Sequence, residues 1–310
     1  MRLTAIAATI VRVNHRPGIS NAITLGCGEW GFRNRTLSEY FQTATSLGFR
    51  HLEFGIGGGW TGRLPGAPTP ADVAAFRRLA ERHAVTTRYC CLENDFTRPD
   101  AAAHDAQVRT VLAQLPAAAD CGAEVVRLFA GFTPVEQMSE PIWQRLLDAL
   151  ATCATAAERR GMSIAIETHG AITTLPDGSL AHQHTVTTRR DLLARLLRDM
   201  PPTVSFNYDP GNLKAADPSD HRYAADLLAG RVSYCHLKDW RRAGAGWTAC
   251  APGDDTIDYS RLLPVPGFAG VYLIEYEPLE DTVDGLRRSL AYLRRILPGA
   301  TTGASAMGQR

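Results

Sequence analysis

A chain of 310 residues with 45% hydrophobic and 21% charged side chains has the make-up of a globular protein able to bury a sizeable core. Its formal net charge of +1 argues against a surface built to neutralise phosphates, so nucleic acid is not an expected partner. No stretch approaches the roughly 18 apolar residues a membrane helix needs, and seven cysteines without regular spacing or a CxxC pair read as reduced thiols of a cytoplasmic protein.

The first 20 residues, MRLTAIAATIVRVNHRPGIS, join a basic residue to a short apolar run. Arg12, His15 and Arg16 interrupt that run and no convincing small-residue cleavage site follows, so residues 1–20 are expected as an extra or disordered N-terminal extension, with a targeting segment as the alternative. From there short apolar runs alternate with longer stretches of helical period. Strands are expected in AITLGC (22–27), FRHLEFG (49–55), VTTRYCCLEN (85–94), AEVVRLFAG (123–131), SIAIETHG (163–170), VSFNYDPGN (204–212), VSYCHLKDW (232–240) and VYLIEYE (271–277). Helices are expected in 37–48, 70–84, 101–122, 135–161, 188–200 and 223–230, with Gly48, Gly122 and Gly161 placed as C-terminal caps. Cys90 and Cys91 should point to opposite faces of their strand.

Strands alternating with helices imply a parallel sheet with helical crossovers. Eight of them close an α/β (β/α)₈ TIM barrel, expected as one domain over 21–298 with a C-terminal tail at 299–310. An open doubly wound sheet is the alternative. In a barrel the chemistry gathers at the C-terminal strand ends. The last four strands become polar there: Glu167 with His169, Asp209 with Asn212, His236 with Lys238 and Asp239, and Glu275 with Glu277. Closure would bring Glu167, Asp209, His236 and Glu275 around one axis, where their mutual repulsion calls for a cation. Oxygen-rich ligation with one nitrogen suits a single divalent metal, Mn²⁺, Mg²⁺, Co²⁺ or Zn²⁺.

The blocks IAIETHG, NYDPGNL, CHLKDW, PGDDTIDY and YLIEYE, in this order, resemble those of the xylose isomerase-like TIM-barrel superfamily, the sugar phosphate isomerase/epimerase group. The resemblance runs from about residue 22 to about residue 297. It implies Glu167, Asp209, His236 and Glu275 as ligands of one metal, most often Mn²⁺. Alternation leaves Glu277 on the same face as Glu275, and the family pattern favours Glu275. The resemblance further implies Glu167 and Glu275 as the groups that move protons beside a carbonyl, through an enediolate.

Two departures matter. The sugar epimerases and xylose isomerases usually carry a histidine three residues after the acidic ligand of strand six, where this chain has Asn212, an amide that holds a hydroxyl but carries no proton. His169, two residues past Glu167, is a second candidate base, at an offset where some dehydratases of the superfamily carry histidine. Lys238 is a candidate to stabilise an enediolate, and Arg242 falls where ketose epimerases use an arginine on substrate oxygens. Glu53, Glu29, Trp30 and Trp60 are candidates to line the pocket, Trp60 as a sugar-stacking residue of a flexible GIGGGW loop (55–60) that lacks GxGxxG spacing. The His182/His184 pair is expected in a loop leading to a helix, in a capping or exposed role.

The leading expectation is a metal-dependent sugar or sugar-acid isomerase/epimerase acting on a small carbohydrate or keto-acid. A lyase on the same site, such as a dehydratase or decarboxylase, comes second, and non-catalytic sugar binding third. Ala-rich helices are compatible with a homo-oligomer.

Overall fold

A computed structural model describes residues 23–220 and 222–303. The extension expected at 1–20 and the tail beyond residue 303 lie outside the described residues. The strands are β1 (Thr24–Cys27), β2 (His51–Ile56), β3 (Thr86–Leu92), β4 (Val125–Phe129), β5 (Ser163–Glu167), β6 (Ala171–Thr174), β7 (Leu180–Gln183), β8 (Ser205–Tyr208), β9 (Val232–Leu237), β10 (Asp239–Ala243), β11 (Gly246–Cys250) and β12 (Val271–Ile274). The helices are α1 (Leu37–Ser46), α2 (Pro70–His83), α3 (Ala101–Asp120), α4 (Glu140–Glu158), α5 (Arg190–Asp199), α6 (Pro210–Ala216), α7 (Ala225–Leu228), α8 (Tyr259–Leu262) and α9 (Thr282–Ile296).

Each expected strand forms, and together they close a parallel barrel in the order β1-β12-β9-β8-β5-β4-β3-β2. Because β1 pairs with both β12 and β2, the open-sheet alternative is excluded. Local chemistry sets the helix starts. Thr36 with Glu39 and Thr69 with Asp72 form reciprocal capping boxes, and Pro70 opens α2 where its missing N–H costs nothing. Gly48, Gly122 and Gly161 are all left-handed, as helix-ending glycines should be.

Alternation sorts the apolar side chains into two layers. Cys90 and Leu92 pack outward with the helices, in a core that includes Phe54, Phe76, Leu128 and Phe206. Tyr89 and Cys91 face inward with Ala165, Tyr234 and Leu273. At the base, Thr301 bridges Thr24, and Arg50 N–H donates to the Thr302 carbonyl at 2.9 Å, so the first residues of the expected tail extend the barrel floor.

The structure adds one layer. β6, β7, β11 and β10 form an antiparallel sheet over the C-terminal side. A single residue, Lys238, separates the end of β9 from the start of β10, so the run expected as a single strand to Trp240 divides there. Trp240, Trp247 and Ala215 form a separate small core under this sheet.

Candidate active site

The four strand ends expected to converge do so. Glu167 closes β5, Asp209 caps α6 directly after β8, His236 lies next to last in β9, and Glu275 follows β12. One ligand atom from each lies within 4.8 Å of the others, and all four side chains are buried. At that separation two carboxylates repel by on the order of 3 kcal/mol at an effective dielectric near 20, so three of them need compensation.

Part of it comes from Lys238, whose Nζ lies 2.5 Å from Glu275 Oε2, 2.7 Å from Glu277 Oε1 and 3.4 Å from Asp209 Oδ2. Part comes from Arg127 of β4, with Nε 3.1 Å from Glu167 Oε2. Burial works to raise Glu167, but Arg127 and His236 hold it well below the usual carboxylate range. Glu275 has no such guanidinium. Burial pushes it up to about 7, helped by Glu167 and opposed by His236 and Lys238. Asp209 is likewise pushed up by burial, to about 6.

His236 is oriented from below. Its Nε2 meets Glu53 Oε1 at 2.7 Å, while Nδ1 faces Glu275 Oε2 at 3.5 Å and Glu167 Oε1 at 3.8 Å. Burial works to lower His236, yet Glu275, Glu53 and Glu167 hold it well above the usual histidine range; a metal displacing the Nδ1 proton would leave the Nε2 proton still donated to Glu53, which is how a carboxylate prepares a histidine for a metal. Glu53 also accepts from Tyr234 Oη–H, Cys91 Sγ–H at 2.9 Å and Glu29 N–H at 2.9 Å. Burial would raise it, yet His236 and these donors bring it down to about 2. Glu53 is fully buried and does not line the pocket, so the expected substrate contact gives way to a supporting one.

Asn212 is corrected in the same sense. Its amide oxygen accepts from Trp240 Nε1 at 3.2 Å, which turns the NH₂ toward Glu167 Oε1 at 3.1 Å and Asp209 Oδ2 at 3.0 Å. It spaces two carboxylates from beneath, fully buried. Under it, Gly211 abuts the β9–β10 joint: a Cβ there would lie 2.6 Å from the Lys238 carbonyl oxygen. Arg242 is exposed on β10, its guanidinium 4.1 Å over the Trp247 ring, away from the pocket lining.

A cavity of about 210 Å³ opens above the cluster. Its charged wall includes Glu167, Glu275, Lys238 and Glu277, together with Glu93 and Arg127, which sequence reasoning missed. Arg127 Nη1 also donates to the Leu92 carbonyl at 3.2 Å, and Glu93 binds Arg63 at 2.6 Å. The signal for both was an ionisable residue in or just after an apolar strand, LEN and VVRLF. Trp30, Phe129, Phe132 and Ile172 supply the apolar wall. Glu29 lies behind it, paired with Arg63.

His169 lines the cavity with its ring edge-on to Phe129 and Phe132. Its Nδ1 is 2.6 Å from the Gly170 carbonyl, a pure acceptor, so the ring proton of the neutral form sits on Nδ1 and Nε2 keeps its lone pair. Burial lowers its pKa against the pull of Glu167, favouring that neutral form. His182 is on β7, not in a loop, with its ring edge-on to Trp240 at 4.6 Å and both ring nitrogens buried without partners. Trp60 is 41% exposed and meets Trp30 edge-on at 5.4 Å. Its loop is pinned by Gly57 N–H to the Leu64 carbonyl at 2.9 Å and Leu64 N–H to the Gly55 carbonyl at 3.0 Å.

Three carboxylates and one oriented imidazole nitrogen, converging and buried, form a donor set that can hold a divalent cation. The model of the xylose isomerase-like TIM-barrel family matches residues 41–296. The chain belongs to that family. No curated protein matches it. Among solved structures, an L-ribulose 3-epimerase superposes with TM-score 0.68 at 14% identity, covering 89% of this chain and 94% of that one. A xylose isomerase-like TIM-barrel protein from Mycobacterium smegmatis in complex with magnesium gives 0.68 at 14%, covering 89% and 96%. A probable 3-DHS dehydratase from Bacillus anthracis gives 0.65 at 14%, covering 87% and 98%. At these identities the likeness is one of fold. Among the described residues no helix is long and apolar enough to cross a membrane.

Proposed function

We propose that the chain is a divalent-metal-dependent isomerase or epimerase of a small sugar or sugar acid, working by proton removal beside a carbonyl. The observation that carries this reading is the convergence of Glu167, Asp209, His236 and Glu275 within 4.8 Å, with Glu167 and Glu275 lining a cavity of about 210 Å³. Those four residues would hold the ion, with Mn²⁺ the leading choice. When bound, the ion polarises a carbonyl and a neighbouring hydroxyl and so acidifies the adjacent C–H.

The remaining steps belong to side chains. Glu167 and Glu275 come from β5 and from the end of β12, on different sides of the floor, so one takes the proton and the other returns one to the opposite face of the carbon. Lys238 places an ammonium at the same floor, where charge develops on the enediolate oxygens. The aromatic wall of Trp30, Phe129 and Phe132 keeps water from the intermediate. The epimerases among the fold neighbours add weight to this reading.

A lyase is the second reading, and His169 favours it. His169 lines the cavity with Nδ1 engaged by the Gly170 carbonyl, which leaves the Nε2 lone pair available as a base. The experiment is incubation of Mn²⁺-loaded protein in D₂O with a panel of ketoses, keto-acids and keto-cyclitols. Deuterium in recovered or epimeric sugar is the expected result. A product lighter by water or carbon dioxide moves the assignment to the lyase, and metal binding without exchange on any of them refutes both in favour of a sugar-binding protein.

A further inference from the structure

Glu93 follows directly after β3 and lines the cavity, with 34% of its side-chain surface exposed. Glu167, Asp209, His236 and Glu275 come from the ends of β5, β8, β9 and β12, which are consecutive in the barrel order. β3 stands diametrically across that order from β9. Glu93 therefore faces the metal-binding side from the opposite wall.

What holds Glu93 there engages half of its carboxylate. Oε1 accepts from Arg63 Nη1 at 2.6 Å and lies 3.6 Å from Arg127 Nη2. Arg63 is itself buried, its Nε donating to Glu29 Oε1 at 3.0 Å. Among the described residues Oε2 has no protein partner. Burial works to raise Glu93, but Arg127 and Arg63 bring it below the usual carboxylate value, so the open oxygen belongs to a charged group.

The neighbouring wall offers a polar ligand little else. Trp30, Phe129 and Phe132 are apolar, and Arg127 is engaged through Nη1 with the Leu92 carbonyl at 3.2 Å and through Nε with Glu167 at 3.1 Å. A cavity of about 210 Å³ is short enough for one monosaccharide to span, so a sugar with its carbonyl over the metal site brings its far end to Glu93. A hydroxyl there meets an ionised acceptor, the stronger class of hydrogen bond. A carboxylate would meet like charge, and an ammonium would crowd the two guanidiniums already at Oε1. Resting on the proposed sugar chemistry, we propose that Glu93 is a specificity-determining residue whose Oε2 accepts from the hydroxyl at the substrate end remote from the reacting carbonyl. It selects neutral ketoses over terminal-deoxy sugars and over sugar acids with a carboxylate at that end.

The test is equilibrium binding, independent of turnover. Mn²⁺-loaded protein is titrated by calorimetry with D-fructose, D-psicose, D-tagatose and L-sorbose, each beside the analogue lacking its terminal hydroxyl, and with D-fructuronate and D-tagaturonate, which carry a carboxylate at that carbon. At least one ketose is expected to bind about ten-fold or more tighter than its deoxy partner, as one hydrogen bond to a charged acceptor provides. Glu93→Gln, which keeps an oxygen for Arg63, should lower that ratio at least about three-fold, and Glu93→Ala about ten-fold. Comparing one pair between parent and variant cancels the different ring forms of the two sugars in solution. Both variants should also gain uronate affinity relative to the neutral ketose, a shift that a merely structural role of Glu93 would not produce. Circular dichroism and thermal melting verify that the variants fold. A hydroxyl-to-deoxy ratio unchanged in both variants, no binding of any ketose, or uronates that bind the parent tighter than their neutral partners overturns the inference, the last by giving the far wall to Arg127. Deuterium exchange on ketoses with a ratio indifferent to Glu93 would sink this inference alone, whereas a Glu93-dependent ratio without exchange on any substrate would sink the catalytic reading alone.

Discussion

Replacing Glu53 by glutamine changes no more than one atom's identity, yet the structure makes it costly. Glu53 Oε1 accepts from His236 Nε2, Tyr234 Oη and Cys91 Sγ, and Oε2 accepts from Glu29 N–H. Whichever way the new amide turns, its NH₂ opposes at least one buried donor, at about 1–3 kcal/mol for the group left unsatisfied. The imidazole also loses the negative charge that makes Nδ1 a strong donor. Removal of such a supporting carboxylate typically weakens metal affinity about 10–100-fold. Glu53→Gln should therefore bind Mn²⁺ that much more weakly in calorimetric titration, with an unchanged far-ultraviolet circular dichroism spectrum. Affinity within two-fold of the parent would mean that His236 is not held for a metal, and the four-residue centre would lose its nitrogen ligand.

Other perturbations probe the rest of the site. Chelation should lower the melting temperature by roughly 5 °C relative to protein held at a hundred-fold excess of metal over Kd, because about 2.7 kcal/mol of linkage is withdrawn; identical melts with and without chelator would remove the cation from the site. Lys238→Met should cut deuterium exchange by about 100-fold or more while leaving Mn²⁺ affinity equal or higher, since it deletes a cation 2.5 Å from Glu275. A parallel fall in metal affinity would instead make Lys238 structural. His182 is lowered to about 3 by burial first, then by His169 and Lys238. Its neutral folded form is fully favourable above the ordinary histidine value, and that stability drains as pH falls from about 6.5 toward 3. His182→Phe should therefore melt with a shallower loss between pH 7 and pH 4.5, by on the order of 1–2 kcal/mol; parallel curves would refute it.

The barrel was legible because parallel strands buried on both faces read as apolar runs and their active ends turn polar, as IAIETHG does at Glu167. The antiparallel sheet was not. β6 and β7 have four residues each, too few for a period, and the connecting turn at Asp177–Ser179 looks like any polar loop. The long helix α9 also went unmarked, although its apolar positions Leu286, Leu290 and Leu293 keep helical spacing. Within the site, spacing revealed which residues converge but not their depth. Glu53 in the middle of β2 and Asn212 in the first turn of α6 read as polar residues near strand ends, and only the packing around them buries both against Glu167, Asp209 and His236 and away from solvent.

The close approach of Gly211 to the Lys238 carbonyl oxygen divides the molecule's capacity for change. Main chain rests on main chain there, so the spacing between the Asp209 carboxylate and the Lys238 ammonium cannot be tuned by exchanging side chains. New substrate preferences in this lineage would have to arise across the mouth, among the loops that bear Trp30, Trp60 and Phe132. A mutational library confined to those loops should yield altered selectivity far more often than one spread over 205–240.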